Sequence, residues 1–98
     1  MITGTLRLDL LLGDVHSLKE KRSVVRPIVA ELARRYAVSV AETGRQDLHG
    51  RAEIGVAVVT GDHQHCRAVL DACEGLVAGR PEVELLSARR GLYDSDDD

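Results

Sequence analysis

The chain contains no tryptophan, no phenylalanine and no asparagine, and its only aromatic residues are Tyr36 and Tyr93. A core without large rings has to be filled by Leu, Val, Ile and Ala. Cysteine is scarce too. Cys66 and Cys73 lie seven residues apart within a helical pattern, which puts them about 10 Å apart along a helix axis. A disulfide needs Cα atoms within about 7 Å, so both read as small buried hydrophobes of a reducing compartment. No apolar run approaches the roughly 20 residues that span a bilayer. Arg7 and Asp9 interrupt the only apolar stretch near the N-terminus, so no signal peptide is expected. These absences lead to the expectation of a cytoplasmic protein with no membrane partner.

The 98 residues suffice for one domain, and a chain of this size can bury a core without a metal or disulfide staple. The formal charge of −3 is unevenly spread. Asp94, Asp96, Asp97 and Asp98 form an acidic end, so residues 1–93 sum to +1. Nothing in that end can bury apolar surface, which predicts a single domain over 1–93 and a disordered tail over 94–98. Between residues 16 and 35, six basic residues face two acids, and this segment is the electropositive part of the molecule.

Residues 3–12 alternate, with Leu6, Leu8, Leu10 and Leu12 on one side and Thr5, Arg7, Asp9 and Leu11 on the other, the period of a half-buried strand. Ser17-Leu18-Lys19-Glu20 is a capping box, which starts a helix at Leu18. Its inward face is Leu18, Val25, Ile28, Val29, Leu32 and Tyr36. Pro27 lacks a donor, crowds the Ser23 carbonyl and biases Arg26 away from helical angles. The apolar period runs through it, so a kink is expected rather than an end, the alternative being a helix that starts near Pro27.

Ala37–Thr43 and Ala52–Thr60 read as two strands of a hairpin joined by a polar connector from Gly44 to Gly50. Asp62 caps a second helix, whose apolar positions Cys66, Val69, Leu70, Cys73, Leu76 and Val77 keep helical spacing. Gly79-Arg80-Pro81 ends it, and Val83–Arg89 is the last strand. The order β-α-β-β-α-β, with both helices amphipathic, describes an α+β, ferredoxin-like sandwich. Right-handed crossovers place both helices on one face of a four-stranded antiparallel sheet.

The run from His16 to Pro27, His-Ser-Leu-Lys-Glu-Lys-Arg-Ser-Val-Val-Arg-Pro, resembles the YlxP-like family of bacteria, a family of unknown function. Val38 to Glu42, Gln46-Asp47-Leu48, Arg51-Ala52 and Ile54 to Val59 match it as well, so the resemblance covers nearly the whole chain. It implies a ferredoxin-like fold and no particular reaction. Genes of this family often sit among those for translation initiation and ribosome maturation factors, an association that suggests RNA or the ribosome. One departure lies after Gln46-Asp47-Leu48, where His49-Gly50 stands in place of an expected aromatic residue.

The sharpest oddity is the group Lys19, Lys21, Arg22 and Arg26. Positive charge in the first turns opposes the helix macrodipole by about 0.3–1 kcal/mol per group, and none of the four has an acid three or four residues away. Lys19, Arg22 and Arg26 share a stripe at i, i+3 and i+7. Free N–H groups at the same helix end favour anions, so a phosphate or a nucleic-acid backbone would satisfy the group. The plainer reading is that the long stems cover apolar surface while the heads meet water, or pair with Glu42, Asp47 or Glu53. The connector adds Arg45 and Arg51 in a loop displayed by a hairpin.

No catalytic constellation, cofactor site or metal site is expected. Asp62-His63-Gln64-His65-Cys66 lacks three or four converging ligands, and His16 has no nucleophile near it in sequence. Acylphosphatases share this topology but position water with an Asn, and metal chaperones of this fold carry a Cys-x-x-Cys; both are missing. RNA-recognition motifs stack bases on sheet aromatics, and neither tyrosine falls in a central strand. The leading expectation is a non-catalytic accessory protein that binds structured RNA or a ribosomal subunit through Lys19, Lys21, Arg22 and Arg26, helped by Arg45 and Arg51. The alternative is a protein-interaction or small-ligand-sensing module that forms a homodimer through the sheet, whose second face carries Leu11, Val59 and Leu86.

Overall fold

In the computed structural model, which describes residues 1–95, the elements follow in the order β1 (Ile2–Leu12), α1 (Leu18–Arg35), β2 (Ser39–Gly44), β3 (Arg51–Thr60), α2 (His63–Ala78) and β4 (Val83–Asp94). The strands form one sheet in the order β2-β3-β1-β4, with every neighbouring pair antiparallel. Alternation decides which residues face the helices. On β1 these are Ile2, Leu6, Leu8, Leu10 and Leu12, and on β3 Ala52, Ile54, Val56 and Val58, all buried. Helix α2 covers this floor with Cys66, Leu70, Cys73 and Val77, and α1 with Val25, Ile28 and Leu32. The core is thus aliphatic, with two thiols. The result is the ferredoxin-like βαββαβ sandwich.

The local signals act as their chemistry requires. Ser17 is the N-cap of α1 and its Oγ accepts from the Glu20 N–H at 3.1 Å. The Glu20 carboxylate reaches one residue further back than a capping box would, and accepts from the His16 N–H at 3.0 Å. The Asp62 carboxylate caps α2 by accepting from the Gln64 N–H. Helix α1 continues through Pro27 from Leu18 to Arg35; Pro27 and Ser23 lie on its exposed side, where the carbonyl that loses its donor meets water. Gly4 of β1 is buried where α2 comes closest: a Cβ there would lie 3.1 Å from Leu70 Cδ1 and nearer still to the Cys66 sulfur.

Strand β4 is longer than expected. It runs past Arg89 to Asp94 because β1 offers unbroken pairing, with Gly91, Leu92, Tyr93 and Asp94 opposite Thr5, Gly4, Thr3 and Ile2. Asp94 therefore belongs to the sheet rather than to a tail, and its carboxylate lies 2.9 Å from His63 Nε2. Residues 96–98, the rest of the expected acidic tail, lie outside the described residues. Among the described residues, no helix is long and apolar enough to cross a membrane.

Candidate anion-binding face and its charged surroundings

The six basic residues singled out in the sequence separate into three environments. Lys21 is buried among the core side chains, with 2% of its surface exposed. It occupies the buried stripe of α1 together with Val25, Ile28 and Leu32. Its ammonium donates to the Arg45 carbonyl at 2.6 Å and the Leu48 carbonyl at 2.7 Å, and lies 2.8 Å from Glu42 Oε2. An ammonium has three protons to donate; two go to these carbonyls, and the Glu42 contact is an ion pair without hydrogen-bond geometry, since Glu42 Oε2 accepts no hydrogen bond. Lys21 is thus a structural tie between α1 and the β2–β3 connector, and it offers no charge to a partner.

Arg45 and Arg51 converge on one carboxylate. Arg45 Nε lies 3.2 Å from Asp9 Oδ1, and Arg51 donates to Asp9 Oδ2 at 2.6 Å. The first contact depends on an unusual backbone, since Arg45 has φ 57°, in the left-handed region. That conformation turns its carbonyl toward Lys21 while the Leu48 N–H also donates to it. Two cations on one carboxylate leave a net positive charge, but both side chains are held at the sheet.

Lys19, Arg22 and Arg26 remain. All three are exposed, and with Ser23 and Pro27 they line a shallow groove of about 370 Å³ along the outer side of α1. Among the described residues none of the three has an ion-pair partner within 4 Å, whereas Arg7, Arg35, Arg45, Arg51, Arg80 and Arg90 all do. The seven residues from Lys19 to Arg26 rise about 10 Å along the helix, so the three charges form a short row. The free row has no aromatic residue in it. Its exposure follows from helical spacing, because it flanks the buried stripe that carries Lys21 and faces outward from it.

Other charged groups carry no strong signal in the sequence. Asp9 has only its alternation out of the core to mark it. Arg90 lies between Asp71 and Glu74 of α2, at 2.7 and 3.1 Å. Burial alone would lower its pKa, but the hydrogen bonds and charges of the two acids outweigh that and hold it above its ordinary value. Burial pushes the Cys73 thiol up. In the stretch 62–66, His63 points to Asp94 while Cys66 is buried against β1, so the two diverge. On the sheet face away from the helices, Val59, Leu11, Leu86 and Tyr93 are exposed.

The chain matches, over residues 3–90, a family described as a protein of unknown function, DUF503. It is 30% identical over 81 residues to the uncharacterized protein YlxP of Bacillus subtilis strain 168, a match that covers 83% of this chain and 88% of that one. Two solved structures share its fold. One is a de novo designed ferredoxin-fold protein, LFR1 1, with a TM-score of 0.55, 14% identity and coverage of 97% and 88%. The other is a point mutant of SnoaB, a cofactor-independent oxygenase from Streptomyces nogalater, with a TM-score of 0.53, 16% identity and coverage of 95% and 92%. At such identities the likeness concerns the fold alone.

Proposed function

The chain belongs to the DUF503 family of proteins of unknown function, and we propose that it is a non-catalytic accessory protein of the cytoplasm that binds structured RNA or a ribosomal assembly. The contact is made by Lys19, Arg22 and Arg26. The observation that carries this reading is the unpaired row itself. Six basic side chains, Lys19, Arg22, Arg26, Arg34, Arg67 and Arg89, have no ion pair among the described residues, and three of them share one face of one helix. Charges placed against the macrodipole and left without intramolecular partners favour an external anion.

The residues around the row narrow the kind of anion. Unpaired bases are read chiefly by stacking on aromatic rings, with guanidinium planes as a second platform, and the α1 groove, lined by Lys19, Arg22, Ser23, Arg26 and Pro27, offers no ring. Contacts to phosphates need no such platform. A folded RNA, which presents ridges of phosphate to a rigid helix, suits a short row of cations better than a flexible single strand does. Lys21, Arg45 and Arg51 take no direct part and instead hold α1 and the connector in place.

Co-sedimentation with ribosomes from lysate at two salt concentrations tests the proposal. The expected result is association that weakens at the higher salt and is lost in Lys19→Glu/Arg22→Glu/Arg26→Glu. Association that persists in this variant, or that ignores salt, would overturn it.

A further inference from the structure

The helix-free face of the sheet holds a second concavity, remote from α1. It has a volume of about 520 Å³ and a floor of small residues, Ala41, Gly55 and Ala57 among them, with Arg7, Glu53 and Tyr93 at its margin. Arg7 and Arg89 are direct cross-strand partners in the β1–β4 ladder and project to this same face, where Arg7 lines the concavity and Arg89 stands beside it, outside the lining. Like charges placed opposite each other are destabilising. Arg7 is eased by Glu53, 3.6 Å away, while Arg89 has no ion-pair partner among the described residues. Glu53 is itself engaged by the Thr43 hydroxyl at 2.8 Å. The local balance of Arg7, Arg89 and Glu53 is therefore one positive charge.

Tyr93 supplies the apolar wall. A Cβ at Gly91 would meet Tyr93 Cε2 at 3.3 Å and Thr5 Oγ1 at 2.6 Å. The missing side chain thus lets the ring fold back over β4 toward the arginines. From these features the geometry points to a binding site for a small organic monocarboxylate with a flat apolar body. The carboxylate lies against Arg7, in the positive field that Arg89 adds from the neighbouring strand, and the body rests on the Gly55–Ala57 floor beside Tyr93. Arginine matches a carboxylate through two parallel N–H donors. A single negative charge neutralises the cluster, whereas a dianion would meet repulsion from Glu53. The volume falls within the roughly 300–1,000 Å³ of small-molecule sites. This site uses none of the residues of the α1 row and stands or falls separately from RNA binding.

The test is an amide NMR titration of the ¹⁵N-labelled full chain with benzoate, with benzamide as the uncharged isostere and with inorganic phosphate. Benzoate is expected to saturate with a dissociation constant of about 1 mM or tighter, with shifts centred on Arg7, Gly55, Ala57 and Tyr93. Benzamide is expected to bind about tenfold more weakly, and Arg7→Gln to weaken benzoate by about tenfold, as loss of a hydrogen bond to a charged group implies. Arg89→Gln is expected to weaken it by about threefold or more. Both positions are exposed, and the variants' spectra report whether the fold is kept. The proposal is overturned by any of four results: no saturation, equal binding of benzamide, phosphate binding as tightly as benzoate, or benzoate shifts centred on Lys19, Arg22 and Arg26.

Discussion

The Lys21 ammonium and the Glu42 carboxylate lie 2.8 Å apart beneath α1, where the lysine is 2% exposed and the glutamate side chain 24%. This pair, with the carbonyls of Arg45 and Leu48, ties the first helix to the β2–β3 connector. The contact changes the meaning of the basic segment, because it removes one cation from the surface and leaves a cleaner row of three.

Replacing Lys21 by Ala leaves Glu42 without its cation and two carbonyls without their ammonium donor. Breaking a buried pair costs about 3–5 kcal/mol, and the partial exposure of Glu42 reduces the expected loss to about 2–3 kcal/mol. Urea denaturation measures it. Lys21→Met/Glu42→Leu should recover part of the loss, since removing both partners leaves no unpaired charge while the Leu48 carbonyl still lacks its donor, and a double variant as unstable as the single one would contradict the pairing.

Binding of a structured RNA hairpin, followed by fluorescence anisotropy across salt concentrations, separates free from occupied cations. Lys19→Gln, Arg22→Gln and Arg26→Gln should each reduce the slope of log K against log salt by about 0.7–0.9. Arg45→Gln should leave the slope unchanged, because its side chain is held by Asp9.

Gly4→Ala should destabilise the protein by about 1–3 kcal/mol, as overpacking does. The new methyl meets the Cys66 sulfur and the Leu70 side chain. Gly4→Ala/Cys66→Ala should regain part of that stability, since the sulfur is the nearest obstacle. Thermal unfolding of the two variants reads the coupling.

Cys73, whose thiol is pushed up from 9.0 by burial, gives a pH signature. In the unfolded chain the thiol ionises at a lower pH than in the folded one, so folding holds on to the proton. Its contribution to stability is complete below pH 9.0 and is lost as pH rises from there through the folded value. Denaturation midpoints should fall above that pH, less so in Cys73→Ala. Iodoacetamide should label Cys73 only on unfolding.

Much of the framework is legible in single residues of the sequence. The Leu6–Leu12 alternation places β1, Ser17 and Asp62 place the helix starts, and the period through Pro27 carries α1 onward. The burial of Lys21 is not among the expectations drawn from the sequence, although helical spacing carries the signal for it. It stands four, seven and eleven residues before Val25, Ile28 and Leu32, on the buried stripe, and Glu42 alternates inward with Val38 and Val40, yet the inward face expected from the sequence leaves Lys21 out and groups it with the anion-binding cations. Charge type argues for exposure and helical position for burial; position wins here because two carbonyls and a carboxylate wait at the buried end. The β4 extension is not readable, because Arg89-Arg90-Gly91 breaks the alternation and only the partner strand restores it.

The sequence by itself determined the element order, the faces of the strands and helices and the aliphatic make-up of the core, because those follow from periods of two and 3.6 residues acting within each segment. Tertiary structure decided which charges remain free. Asp9 meets Arg51 across 42 residues of chain and Lys21 meets Arg45 across 24. Such contacts depend on the sheet order and on the left-handed turn at Arg45. Ion pairing acts over a few ångströms whatever the separation along the chain, so only the folded arrangement could leave Lys19, Arg22 and Arg26 without a partner.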